Sequence, residues 1–249
     1  MRKSPHKAVI LLGFDTPGRA DGSLGPLNDG AAVRDAVKEA LAAGLKELIF
    51  VTADSATPVE AQVGSFGAGE PGGARPERVV IARQFAARSL GQALCEIRHL
   101  LFEEPFVVLL PAAMRAAGGE SSTRDLVEAY AEHGGNVVTV TDDAVLSRDG
   151  RFAAVARAAA GRYLLQPAVL DVLEEDPDGG IAGALLLLAE AWPVTALPAA
   201  TDRWTRPALV SASGVPASGV PASEAPTVRA RRPVALAAES GLSVLGAGK

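Results

Sequence analysis

The chain has 249 residues, 48% of them hydrophobic, enough for one large α/β domain, or one domain with a tail, around a sizeable core. A formal charge of −5 and an aromatic content of 4% argue against nucleic-acid binding, because surplus cations and stacking rings are both lacking. The single Cys95 rules out an internal disulfide framework and fits a reducing compartment. The apolar runs are too short for a signal peptide or a bilayer span, so a soluble cytoplasmic protein is expected.

Strand-like and helix-like patterns alternate along the chain. KAVILL (7–12) reads as a buried strand, followed by a Gly-bearing loop. NDGAAVRDAVKEALAAG (28–44) carries apolar residues at helical spacing and stops at Gly44. KELIFVTA (46–53) is a second strand. Residues 55–63 suit a short helix capped by Ser55 or Thr57 with Pro58 in its first turn, and 64–77 form a Gly/Pro-rich loop. RVVIARQ (78–84) is a strand, SLGQALCEIRHLL (89–101) one helix and PFVVLLP (105–111) a wholly apolar strand. STRDLVEAYAEHGG (122–135) is a helix with Ser122 or Thr123 near its cap and Gly134 at its end, and NVVTVTD (136–142) is a strand. Residues 151–175 suggest a strand pair and a helix from about Pro167; residues 179–194 suggest a further helix.

Apolar strands separated by amphipathic helices predict a mainly parallel sheet covered on both faces, with ligands bound beyond the carboxyl ends of its strands. That places candidate sites after Leu12, Ala53, Gln84, Pro111 and Asp142. From about residue 207 the composition shifts to Ala, Pro, Ser, Val and Gly, with a tandem GVPAS repeat at 214–223. We therefore divide the chain into a domain over 1–206 and a flexible tail over 207–249, whose Arg229, Arg231 and Arg232 read as solvated charge.

The ordered fragments KAVI, VKEALAAGLKELIFVTA, ARQ, SLGQALCEIRHLLFEEPFVVLLP, YAEHGGNVVTV, GRYLLQPAVLDVLEE and DGGIAGAL resemble the bacterial UTP–glucose-1-phosphate uridylyltransferases, from about Lys7 to about Pro207. The resemblance implies a three-layer α/β/α nucleotide-diphospho-sugar transferase (Rossmann-like) fold with a mainly parallel mixed sheet. It also implies a chemistry in which Mg²⁺ helps join a nucleoside triphosphate to a sugar phosphate.

Most residues that the family uses for that chemistry are replaced. Its glycine-rich loop with a Thr-Arg pair has only an echo in Gly13 and in Gly18-Arg19; Asp15 would repel phosphate and Pro17 has no N–H to donate. GSLGP (22–26) stands where the family has a phosphate-binding lysine. After the central apolar strand, Ala112 and Ala113 occupy the ground of a Mg²⁺-binding Asp. In DRWT (202–205), Asp202 replaces a Lys and Thr205 a second metal-binding Asp. Hard cations need oxygen ligands, so these exchanges dismantle the expected metal platform. What survives lies on the base-recognition side: Arg83-Gln84 matches an Arg-Gln pair whose Gln contacts uracil, and Leu90-Gly91-Gln92-Ala93 a segment whose Gly lies against the base. Read without the family, Gln84 either binds a base or caps a strand end.

Asp142-Asp143 read as a solvated turn, Asp15 and Asp21 as loop chemistry, Cys95 as core, and His99 and His133 as helix-end residues. The expected function is that of a catalytically inactive uridylyltransferase homologue. Its nucleotide-binding candidates are Gly13, Arg19, Gln84 and Gly91, and it has no catalytic or metal-ligating residue. It would act as a binding, regulatory or assembly protein, with UTP or a UDP-sugar as weak ligand, and either self-associates or joins an active paralogue. An active nucleotidyltransferase using Mg²⁺ and a site rebuilt on Arg19, Asp15 or Asp142 is one alternative, and a ligand-free scaffold with Phe14 filling the cleft is another.

Overall fold

A computed structural model describes residues 3–12, 30–53, 74–84, 89–117, 122–140, 159–176, 180–189, 192, 194–198 and 208–210. Contacts divide the chain into two units, Met1–Ala217 and Ser218–Lys249. All described residues belong to the first.

The strands are β1 (Lys7–Leu12), β2 (Glu47–Ala53), β3 (Arg78–Gln84), β4 (Phe106–Leu109), β5 (Asn136–Val140), β6 (Ala159–Leu165), β7 (Val194–Pro198) and β8 (Ala208–Val210). They form one sheet in the order β3-β2-β1-β4-β6-β5-β7-β8. β1 pairs in parallel with both β2 and β4, β2 with β3, and β5 with β7. β6 is antiparallel to both β4 and β5, and β8 is antiparallel to β7. The sheet is therefore mixed, as expected: two parallel blocks joined through β6.

Seven helices are described: α1 (Gly30–Ala42), α2 (Leu90–Glu96), α3 (Arg98–Leu101), α4 (Pro111–Ala117), α5 (Thr123–His133), α6 (Ala168–Glu175) and α7 (Gly180–Leu188). Side-chain alternation divides the core between the two sheet faces. On one face Val9, Leu11, Val108 and Tyr163 pack with residues of α2, α6 and α7. On the other Ile10, Leu12, Phe50 and Leu164 pack with residues of α1 and α5. Every residue of β1 is buried, so its apolar run reflects a strand with no solvent-facing side. α5 is fixed by a capping box: the Ser122 N–H donates to Asp125 Oδ2 at 2.6 Å, and Gly134 closes the other end.

Several expectations are corrected. Residues 89–101 form two helices, because Ile97 takes φ −94° and ψ 6° while remaining buried. The strand read over 105–111 stops at Leu109, and Pro111 instead opens α4. Proline suits a first helical position, since its missing N–H has no intrahelical partner there. The helix read over 179–194 ends at Leu188, and Val194 starts β7. Ala208–Val210, counted with the tail, pair with Val194–Ala196 as β8. The helix expected over 55–63 and the first of the strand pair over 151–158 lie outside the described residues, as does the repeat-bearing stretch after Val210.

At the amino end of β1, Lys7 is almost wholly buried. Its Nζ donates to Glu104 Oε2 at 2.9 Å and to the Leu101 carbonyl at 3.4 Å, and lies 5.0 Å from the Phe102 ring centroid. The hydrogen bond from Lys7 is the main cause that holds the Glu104 carboxyl below its ordinary value. Lys7→Met is expected to lower stability in urea by about 1–2 kcal/mol, because Glu104, 31% exposed, can rehydrate. A depressed carboxylate contributes fully above its ordinary value of 4.5 and loses that contribution as pH falls through the folded value. The stability gap between wild type and Glu104→Gln should therefore be present at neutral pH and close on acidification below 4.5.

Candidate functional site

β1 is the point where the sheet changes direction: β2 and β3 extend to one side and the chain then returns to place β4 on the other. Crevices at such switch points, beyond the carboxyl ends of the strands, are where open α/β sheets hold ligands. Register and direction place Leu12, Ala53, Gln84, Leu109, Val140 and Pro198 at the carboxyl ends of their strands, along one edge of the sheet. β6, running the other way, starts on this edge, with Ala159 opposite Val140 and Arg162 opposite Leu109.

α4 lies across this edge. Ala113 joins the core of one sheet face and the adjacent Met114 that of the other. The helix is pinned to the start of β6: the Leu110 N–H donates to the Gly161 carbonyl at 2.8 Å, and the Met114 N–H donates to the Leu110 carbonyl at 2.9 Å. Gly161 has φ +79°, and a β-carbon there would lie 2.8 Å from Ala113 Cβ, 2.8 Å from the Met114 nitrogen and 2.9 Å from the Leu110 oxygen. Only glycine satisfies both the backbone angle and the close approach.

This geometry separates the two alanines read from the sequence. Ala113 is buried against Gly161 and has no room for a carboxylate, whereas Ala112, the second residue of α4, is exposed. Ala112 is the one of the two alanines with space for a longer side chain, and its methyl group offers no oxygen. Among the described residues no group of three or more His, Cys, Asp or Glu side chains is placed to hold a metal ion. Ala112 and Ala113 supply no oxygen ligand for the divalent ion that the family resemblance implies.

Two of the base-side candidates, Gln84 and Gly91, fall within the described residues. Gln84 ends β3, and Gly91 lies buried in the first turn of α2, whose N-cap Ser89 accepts a hydrogen bond from the Gln92 N–H at 3.1 Å. Gly13, Arg19, Asp202 and Thr205 lie outside the described residues, as do Phe14, Asp15, Pro17, Asp21 and Asp142-Asp143. Arg83 at the end of β3 and Arg115 on α4 are exposed. Arg115 was not singled out in the sequence; its signal is an arginine three residues after Ala112, one helical turn further on. Cys95 is half-buried, and burial, followed by the Glu174 charge, pushes its thiol up, away from the thiolate a nucleophile requires. Both histidines lie near helix ends, as read: His133 ends α5, and His99 falls in the single turn of the four-residue α3.

No protein-family profile and no curated protein matches the chain. Solved structures do. The chain superposes on a UTP-bound UGPase from Acinetobacter baumannii at a TM-score of 0.56 with 19% identity, covering 78% of this chain and 86% of that one. It superposes on a UDP-glucose pyrophosphorylase complexed with UDP-glucose at 0.56 and 15% identity, covering 85% and 94%. A putative glucose-1-phosphate thymidylyltransferase from Bacillus anthracis, in complex with a sucrose, gives 0.56 and 16%, covering 83% and 90%.

The chain has the nucleotide-diphospho-sugar transferase fold. The fold expectation is met, and at these identities the likeness extends to the fold alone. No described helix of this nucleotide-diphospho-sugar transferase fold is long and apolar enough to cross a membrane.

Gly161→Ala is expected to destabilise the protein by about 2–4 kcal/mol in urea unfolding, from overpacking added to backbone strain. Gly44→Ala also forces a positive φ (+84°) but meets nothing within 4 Å. It should lower stability by only about 1 kcal/mol.

Proposed function

We propose that this chain is a degenerate member of the bacterial UTP–glucose-1-phosphate uridylyltransferase family. It retains the nucleotide-sugar cleft as a binding site in the cytoplasm and does not form UDP-sugars. The observation that carries this reading is Ala112. It is the second residue of a helix laid over the switch-point edge, it is exposed, and the ground it holds would have to carry a metal carboxylate for the family's chemistry.

Nucleotidyl transfer depends on placing phosphates and neutralising their charge, so without metal ligands the edge can hold such a ligand and still fail to activate it. Ligand binding is supported by Gln84, which ends β3 at the carboxyl edge of the sheet, and by Gly91, buried in the first turn of the helix that follows in sequence. UTP and UDP-glucose, the ligands bound in two structural neighbours, set the class to be tested. A regulatory or assembly role, alone or beside an active paralogue, follows from binding without turnover.

Calorimetry with UTP and UDP-glucose, paired with a turnover assay containing UTP, glucose 1-phosphate and Mg²⁺, should show binding and no UDP-glucose. Turnover by protein free of host enzyme would overthrow the inactive reading, and absence of binding heat would leave a bare scaffold. Ala112→Asp should change stability by no more than about 0.5 kcal/mol, since the site is exposed and an acidic residue suits a helix N-terminus. It should make UTP binding Mg²⁺-dependent. Ala113→Asp should instead lower stability by about 2 kcal/mol or more, by burying a carboxylate against Gly161.

A further inference from the structure

The residue after Gly161 belongs to a second constellation on the opposite face of β6. The Arg162 side chain is only 6% exposed. Its Nε donates to Glu39 Oε2 at 2.9 Å and its terminal nitrogen to Glu39 Oε1 at 2.8 Å, a two-pronged pairing of guanidinium and carboxylate. Glu39 Oε2 also accepts from the Thr123 hydroxyl at 3.0 Å and from the Thr123 N–H at 3.3 Å. One carboxylate on α1 thus gathers donors from β6 and from the first turn of α5. The Arg162 carbonyl accepts from the Thr139 hydroxyl at 3.2 Å, tying the same residue to β5.

Arg162 shares a peptide bond with Gly161, and Gly161 has no slack against Leu110, Ala113 and Met114. A rotation or retreat of Arg162 is therefore passed directly to the seat of α4. We infer that Glu39 and Arg162 are positioning residues: their ion pair latches the start of β6, and through Gly161 it fixes α4 and the Ala112 corner of the cleft. The consequence for a ligand rests on the nucleotide-binding reading above; the placement of α4 does not.

The test uses the full chain, Glu39→Gln, Arg162→Lys and, as a stability control at the opposite edge of the sheet, Lys7→Met. Lysine keeps the charge of Arg162 but not its fork. Native-state hydrogen exchange is read at the Leu110 and Met114 amides, which hold α4, and at Phe50 in β2 as a global reference. In Glu39→Gln and Arg162→Lys, exchange at Leu110 and Met114 should rise about tenfold more than at Phe50, while Lys7→Met shows no such excess. UTP titration should show affinity weakened about fivefold in the latch variants and unchanged in Lys7→Met. Exchange that rises uniformly, or a matching local rise in Lys7→Met, overturns the latch; if Arg162→Lys fails to fold, Glu39→Gln decides. Wild-type protein that takes up no UTP removes the ligand reading, and the exchange measurement still decides whether the pair holds α4.

Discussion

Strand β1 has no side that faces water, and the rest of the molecule is arranged around that constraint. Helices cover both faces of the sheet at β1, so an accessible group there has to be carried by the segment just beyond a strand end. The carboxyl edge gains its shape from α4, which contributes one alanine and one methionine to the cores on either side of the sheet. The amino edge is closed differently, by a buried lysine held between a carboxylate, a carbonyl and an aromatic ring. Of the two edges, the carboxyl one is where a switch in strand order opens a crevice for a ligand.

Much of this architecture can be read from the sequence where the local signal is strong. Ala8–Leu12 and Phe106–Leu109 are unbroken apolar runs, and both lie in strands buried on every residue. The helix at Thr123–His133 announces itself through Ser122, Asp125 and Gly134, each of which performs the capping role its type suggests. Short elements were missed because local preference and tertiary context disagree about them. Pro111 looks like the end of a strand and is the start of a helix, although the run Ala-Ala-Met-Arg-Ala-Ala after it is strongly helix-forming. Val194–Pro198 follows a helical pattern and becomes a strand only because β5 and β8 are there to pair with it.

The candidate site was partly legible. The family resemblance sets Ala112 and Ala113 together on the ground where a metal carboxylate is expected, but the sequence cannot say which of the two has room for one. That distinction comes from Gly161, separated from them by an entire helix and strand, whose missing side chain admits Ala113. The pairing of Glu39 with Arg162 was not foreseen either. Its partners are distant in the chain, and a glutamate on an amphipathic helix looks like any solvated charge until β6 and α5 close over it. Burial converts an ordinary surface pair into a geometric constraint, because a charge removed from water must keep its partner in place.

The antiparallel insertion of β6 also bears on how the chain is made. Phe106–Leu109 pairs with β1 on one side, while its partner on the other side, Arg162–Leu165, is encoded after both α5 and β5. On a ribosome, the four apolar residues of β4 therefore emerge with one rim of peptide groups open, and it stays open until β6 has been made. An unpaired, uncharged rim of this kind is a template for association between nascent chains.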